Sequence, residues 1–250
     1  MNSGYDIFGT AYGVMFRHDL HAPGSVDDLF LQRMCLLEEE SVDALYAAPP
    51  VISPAITMHE LYPFAQQFVG ENDRQTLQNL LSFTREMAQN CVTDLEEMEF
   101  GGTERQILLR GTDWCTDISR LGAVLCQCVG IPARILHLVN RSKAYHGHAA
   151  VEVFYEGKYG VADFLYGWLF YDQTPLSAWE LKNNHDAIRQ IIDPSHWEYY
   201  PELYDGVALN DYDPMDPENR YPVTHINDYY RQMMSRNTDD GHWALGEDRQ

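Results

Sequence analysis

The sequence predicts an α+β protein in which a central helix packs on an antiparallel sheet, with helical additions before it and an irregular aromatic-rich segment after it. Two observations predict this. Residues 111–134, GTDWCTDISRLGAVLCQCVGIPAR, set Ile118, Leu121, Leu125, Cys128 and Val129 at intervals of three and four and end on Gly130 and Pro132, so a helix runs from about Trp114 to Val129. The runs ARILHLV, HAAVEVFY and YGVADFLY then alternate apolar and polar residues as half-buried strands do.

The composition is that of a soluble globular chain: of 250 residues, 45% are hydrophobic and 12% aromatic, and the mean hydropathy is -0.39. That length holds one folding unit with embellishments. The opening MNSGYDIFGTAY lacks the basic, apolar, small-residue order of a signal peptide, and no apolar run approaches the roughly 18 residues of a membrane span, so the cytoplasm is the expected location. A formal charge of -21, from 38 acidic and 17 basic residues, repels nucleic acid and anionic membranes at long range; neither is an expected partner. The same field attracts basic or amine-bearing substrates. Five cysteines without a CxxC pair read as free thiols in a reducing compartment, Cys126 and Cys128 being too close together for an easy disulfide.

Taken in order, residues 25–47 open with a Ser cap and place Val26, Leu29, Phe30, Arg33 and Leu37 at helical spacing, which predicts an amphipathic helix broken near Glu40. Prolines 49, 50 and 54 then force an extended linker. From Asn72 to Met98, Leu77, Leu80, Leu81, Phe83, Met87, Cys91, Leu95 and Met98 recur every three or four residues, so a long helix with one buried face is expected and Cys91 belongs to its core stripe. Gly101-Gly102 ends it. After the central helix and strands a further helix is expected near 176–192, followed by a Tyr-, Pro- and Asp-dense segment that wraps aromatics onto the core. The expected organisation is an N-terminal extension over 1–100, a core over 101–175 and a C-terminal wrapping segment over 176–250, all in one compact unit.

Position singles out one thiol. Thr112 or Asp113 is the expected N-cap, so Cys115 falls in the first helical turn, where backbone N–H groups and the positive dipole end favour a thiolate. Cys126 and Cys128 fall in the last turn, where the dipole disfavours one. Asp113 and Asp117 would oppose a lowered thiol pKa unless they point away.

A thiolate nucleophile also needs a histidine held by a third group. The turn Glu156-Gly157-Lys158 separates two alternating runs as a β-hairpin does. A two-residue loop puts His148 and Asp163 on the same face of adjacent strands, directly opposed or one diagonal apart; a three-residue loop puts them on opposite faces.

Cys115 at a helix start, Gly130-Ile131-Pro132-Ala133-Arg134 at its end, His148-Ala149 leading Val-Glu-Val, and Asp163 closing the next strand together resemble the transglutaminase-like superfamily, over roughly residues 108–166. The resemblance implies a papain-like thiol fold with a Cys-His-Asp triad of Cys115, His148 and Asp163, acting on an amide or acyl substrate, small molecule or peptide, through a thioester acyl-enzyme. It implies no cofactor. Such sequences often read H-A-W and W-V-x-V-D-P, where this chain has His148-Ala149-Ala150 and Tyr159-Gly160-Val161-Ala162-Asp163-Phe164. Hydrolysis, as an amidase, peptidase or deamidase, is slightly favoured over amide-forming transfer to an amine; a catalytically silent binding or scaffold protein is the reading from another class.

Secondary roles stay open. The backbone N–H of Cys115 is the expected oxyanion donor, with Gln106 or Trp114 as the second; Trp114 is equally read as an acyl-site wall or as core packing. His146 is read as a pocket-lining polar residue. His146, His148 and Cys115, completed by Asp163 or His137, form the alternative of a metal site, against which the expectation is no metal. Arg134 is read as a structural salt-bridge partner rather than a substrate anchor. Asp211, Asp213, Asp216 and Glu218 lack the glycine and ligand order of a calcium loop and are read as a solvated acidic loop. Nothing in the sequence sets an oligomeric state.

Overall fold

A computed structural model describes residues 35–91, 101–140 and 147–216. The chain enters as β1 (Cys35–Leu36) and makes two single-turn helices, α1 (Val42–Leu45) and α2 (Tyr62–Ala65), before the long α3 (Asp73–Gln89). Then come α4 (Glu104–Arg110), α5 (Cys115–Cys128), β2 (Ala133–Val139), β3 (Gly147–Tyr155), β4 (Lys158–Asp163) and β5 (Trp168–Leu169). A small ribbon, β6 (Tyr171–Asp172) with β7 (Thr174–Pro175), precedes α6 (Ala178–Asn183), α7 (His185–Arg189), α8 (Tyr199–Glu202) and β8 (Gly206–Asp211). The main sheet runs β1-β8-β2-β3-β4-β5 with every neighbouring pair antiparallel. Among the described residues no helix is long and apolar enough to cross a membrane.

The expected α+β core is present, and local chemistry explains its edges. Asn72 caps α3 by accepting the Gln75 N–H at 2.9 Å. The stop read at Gly130 is a Schellman motif: Gly130, at φ +88°, lets Ile131 N bond Cys126 O at 2.9 Å and Gly130 N bond Gln127 O at 3.0 Å. Glu156 and Gly157 both take positive φ, 52° and 76°, so the β3–β4 loop is a two-residue turn of the primed kind that suits the twist of a hairpin.

The sheet is covered on both faces. On one, α5 and α3 bury Leu77, Leu80, Leu121 and Leu125 against Ile135, Val151, Val153 and Phe164. On the other, Leu136, Leu138, Ala150 and Val161 meet Phe170, Leu181, Tyr200, Leu203 and Tyr204 from the C-terminal segment. Burial of whole aliphatic and aromatic side chains on both sides, about 1.5–3 kcal/mol each, holds the layers together.

The structure corrects several element expectations. Within the helix expected over 25–47, Cys35–Leu36 is a strand paired with Leu209 and Ala208, because β8 supplies a partner that helical spacing does not reveal; residues 25–34 lie outside the described residues. Helix α3 ends at Gln89, and Leu95 and Met98 lie outside the described residues. The strand expected over 159–166 stops at Asp163, whose carboxylate takes the next amides and turns the chain. The helix expected near 176–192 is two helices broken at Asn184, whose side chain caps the second by accepting Ala187 N. The segment expected to be irregular contains α8 and β8.

Candidate active site

Cys115 is the first residue of α5, one position later than the sequence-based boundary, with Trp114 as N-cap. The expected caps are displaced because Thr112 Oγ1 accepts the N–H of Trp114 at 3.0 Å, closing a local turn ahead of the helix. Cys115 is half-buried, whereas Cys126 and Cys128 are buried; desolvation pushes both of those thiols up, Cys128 to about 12. Burial also pushes Cys91 up, with Asp113 adding to the effect.

One acidic neighbour of the thiol, Asp117, is paired with cations. Asp117 Oδ2 accepts from Arg110 Nη2 at 2.7 Å and from Gly101 N at 2.8 Å, and Arg120 Nη1 lies 3.8 Å from Oδ1. Asp113 is half-buried, and desolvation raises its carboxyl pKa. The positive dipole end of the helix lies at Cys115, beside an Asp117 whose charge is balanced by Arg110 and Arg120.

His148 lies near the start of β3. The register sets Val151 opposite Ala162 and Glu152 opposite Val161, which places Asp163 opposite Ala150 and one diagonal from His148 on the same face. The two meet: His148 Nε2 lies 2.7 Å from Asp163 Oδ2, and both groups are buried. Cys115 stands within interaction range of His148 and favours its charged form, while Nε2 faces the carboxylate. Burial opposes charge on the imidazole, but the Asp163 carboxylate and its hydrogen bond, joined by Cys115, outweigh it and raise the pKa to about 10. Asp163 is held below its ordinary value: burial opposes this, and His148, Tyr200 and the Tyr166 amide overcome it.

Sequence reasoning missed the aromatic surround. Tyr166 and Tyr200 place their rings 5.5 and 5.6 Å from the imidazole, Tyr166 stacks on Trp168 at 4.4 Å, and His196 packs edge-on to both Tyr166 and Trp168. Tyr199 and Tyr166 both feel the Cys115 charge, which adds to the effect of burial on their phenols. Tyr200 donates its hydroxyl to Asp163 Oδ2 at 2.7 Å. The density of tyrosine in the C-terminal segment was the signal for Tyr199 and Tyr200, and it does not say which ring goes where.

The remaining candidates have distinct places. Trp114 is half-buried and packs against the helix-side core. Gln106 is exposed in the first turn of α4, where its Oε1 accepts the Thr103 N–H and completes a capping box. His146 lies outside the described residues, and with it the metal alternative that invoked it. His137 is buried, which lowers its pKa to about 4. Arg134 makes the expected structural ion pair, with Nη2 2.6 Å and Nε 2.9 Å from Glu152 Oε2, between the rings of Tyr46 and Tyr159. Asp211 and Asp213 are exposed, Asp211 as the last residue of β8, and Glu218 lies outside the described residues.

A helix that begins on a cysteine, packed on an antiparallel sheet whose hairpin joins an imidazole to a carboxylate, is the architecture of the thiol folds of the papain-like class. Residues 64–173 match the family model of the transglutaminase-like superfamily, so this part of the chain is similar to a transglutaminase-like core. The stretch that carried the resemblance, 108–166, lies inside the match. No match was found among curated proteins or solved structures.

Proposed function

We propose that the chain is a cysteine-dependent acyl-transfer enzyme with Cys115 as nucleophile, His148 as acid and base, and Asp163 as the group that orients His148. One observation carries the reading: a buried imidazole bonded to a carboxylate at 2.7 Å and within interaction range of a thiol at a helix N-terminus.

The Cys115 thiolate attacks the carbonyl carbon of an amide or activated acyl group, and the backbone N–H of Cys115 faces the developing oxyanion. Collapse breaks the carbonyl–leaving-group bond, and His148 delivers its proton to the departing amine. The thioester remains. His148, now neutral, takes a proton from water or an acceptor amine as that acceptor attacks the thioester, and the thiolate leaves. Asp163 holds the imidazole tautomer and stabilises the charged ring.

Hydrolysis is the slightly favoured outcome and amide-forming transfer the alternative; the charge of -21 favours basic or amine-bearing substrates. Support for the reading is tested by iodoacetamide labelling at mildly acidic pH. Cys115 is expected to react ahead of the other four cysteines, and uniform labelling overturns the proposal. Small acyl amides incubated with and without excess amine then separate hydrolysis from transfer by product mass.

A further inference from the structure

The carboxylate of Asp163 has four hydrogen-bond partners, and one of them comes from beyond the transglutaminase-like core. Oδ1 accepts the N–H groups of Leu165 at 3.0 Å and Tyr166 at 3.1 Å, both from the turn that follows β4. Oδ2 faces His148 Nε2 at 2.7 Å and accepts the hydroxyl of Tyr200 at 2.7 Å. Tyr200 belongs to α8, whereas the family match ends at residue 173.

The tyrosine is built to hold that position. It is fully buried, edge-on to Trp168 at 5.2 Å and stacked on Phe170 at 6.0 Å, so its ring cannot turn without repacking the second core cluster. A carboxylate with both oxygens doubly engaged has one orientation. With a partner missing on Oδ2, the group is free to tilt about Cβ–Cγ, and the imidazole tilts with it. A buried carboxylate that loses a donor gives up a charge-assisted bond in a low-dielectric surround.

We infer that Tyr200 is a positioning residue whose hydroxyl fixes the Asp163 carboxylate and thereby aims the His148 imidazole at the Cys115 thiol. The inference rests on the thiol chemistry proposed above, and it makes the segment after residue 173 a working part of the site. The Tyr200 hydroxyl acts through Asp163, while its ring also packs edge-on to the imidazole at 5.6 Å. The groups facing that carboxylate are His148 from β3, Tyr166 from the turn after β4, and Tyr200 with Tyr204 from the C-terminal segment, with Cys115 behind the imidazole.

The test is the pH profile of Cys115 alkylation by iodoacetamide, followed by mass spectrometry on the full chain in wild type, Tyr200→Phe, Asp163→Asn and the double variant. Tyr200→Phe keeps the ring and its packing and removes one donor. Its acid limb is expected to move up by about one pH unit, the scale of a hydrogen bond to a charged group. In the Asp163→Asn background the same substitution is expected to change nothing further. A Tyr200→Phe profile that overlays wild type overturns the inference, as does a shift that persists undiminished without the carboxylate. Wild-type Cys115 reacting no faster than the other cysteines overturns the thiol reading and this inference with it, an outcome distinguishable from the first two.

Discussion

Ser119 Oγ donates to the carbonyl oxygen of Ala149 at 2.9 Å, a buried bond that ties α5 to β3 one residue beyond His148. Ser119 stands one helical turn after Cys115, so this bond fixes how the helix start meets the strand start. Replacing it with alanine leaves a buried acceptor short of a donor and loosens the approach of thiol to imidazole. Ser119→Ala is expected to lower the unfolding free energy by about 1–3 kcal/mol in urea titration and to slow Cys115 alkylation.

The paired charges give stability a defined pH window. His148, raised from 6.5 to about 10, contributes stability that is fully present below pH 6.5 and is lost as pH climbs toward 10. Asp163, held below 3.8, contributes stability present above that value and lost on acidification. Asp163→Asn is expected to destabilise the fold near neutrality by about 3–5 kcal/mol and to flatten the loss between pH 6.5 and 10, read by denaturant unfolding at a series of pH values.

Gly122 carries a steric requirement of the site. A Cβ there would lie 2.4 Å from the Phe164 ring, which is buried directly after Asp163 in sequence. Gly122→Ala is therefore expected to cost about 1–3 kcal/mol by overpacking and to reduce Cys115 reactivity as Phe164 pulls on its neighbour. Thermal unfolding and alkylation rate report the two effects separately.

The Arg134–Glu152 pair predicts a purely structural phenotype. Glu152 is wholly buried and also accepts from Tyr46 Oη at 2.7 Å and Ala178 N at 2.8 Å. Arg134→Met strands that carboxylate without its cation and is expected to destabilise by about 3–5 kcal/mol, while the folded fraction keeps its Cys115 alkylation profile.

What the sequence could disclose followed from local rules. Spacing and the Gly130 stop located α5 to within one residue at each end, while the Glu156-Gly157-Lys158 turn signal left the parity of His148 and Asp163 open until the observed register made the loop two residues long. What stayed hidden depends on contacts between distant segments. Neither Cys35–Leu36 nor Gly206–Asp211 carries a pattern stating that each is the other's partner, and pairing at that separation overrides helical spacing. Tyr200 was equally illegible: its importance is a single hydroxyl meeting a carboxylate 37 positions earlier, in a segment crowded with similar residues.

β8 is the last strand among the described residues, yet it lies inside the sheet, hydrogen-bonded to β1 on one side and β2 on the other. A nascent polypeptide leaving the ribosome thus has no seat for β1 until synthesis has passed residue 211. Until then β2 lacks the neighbour that covers one of its edges, and an unpaired strand edge is the kind of surface on which incomplete chains associate.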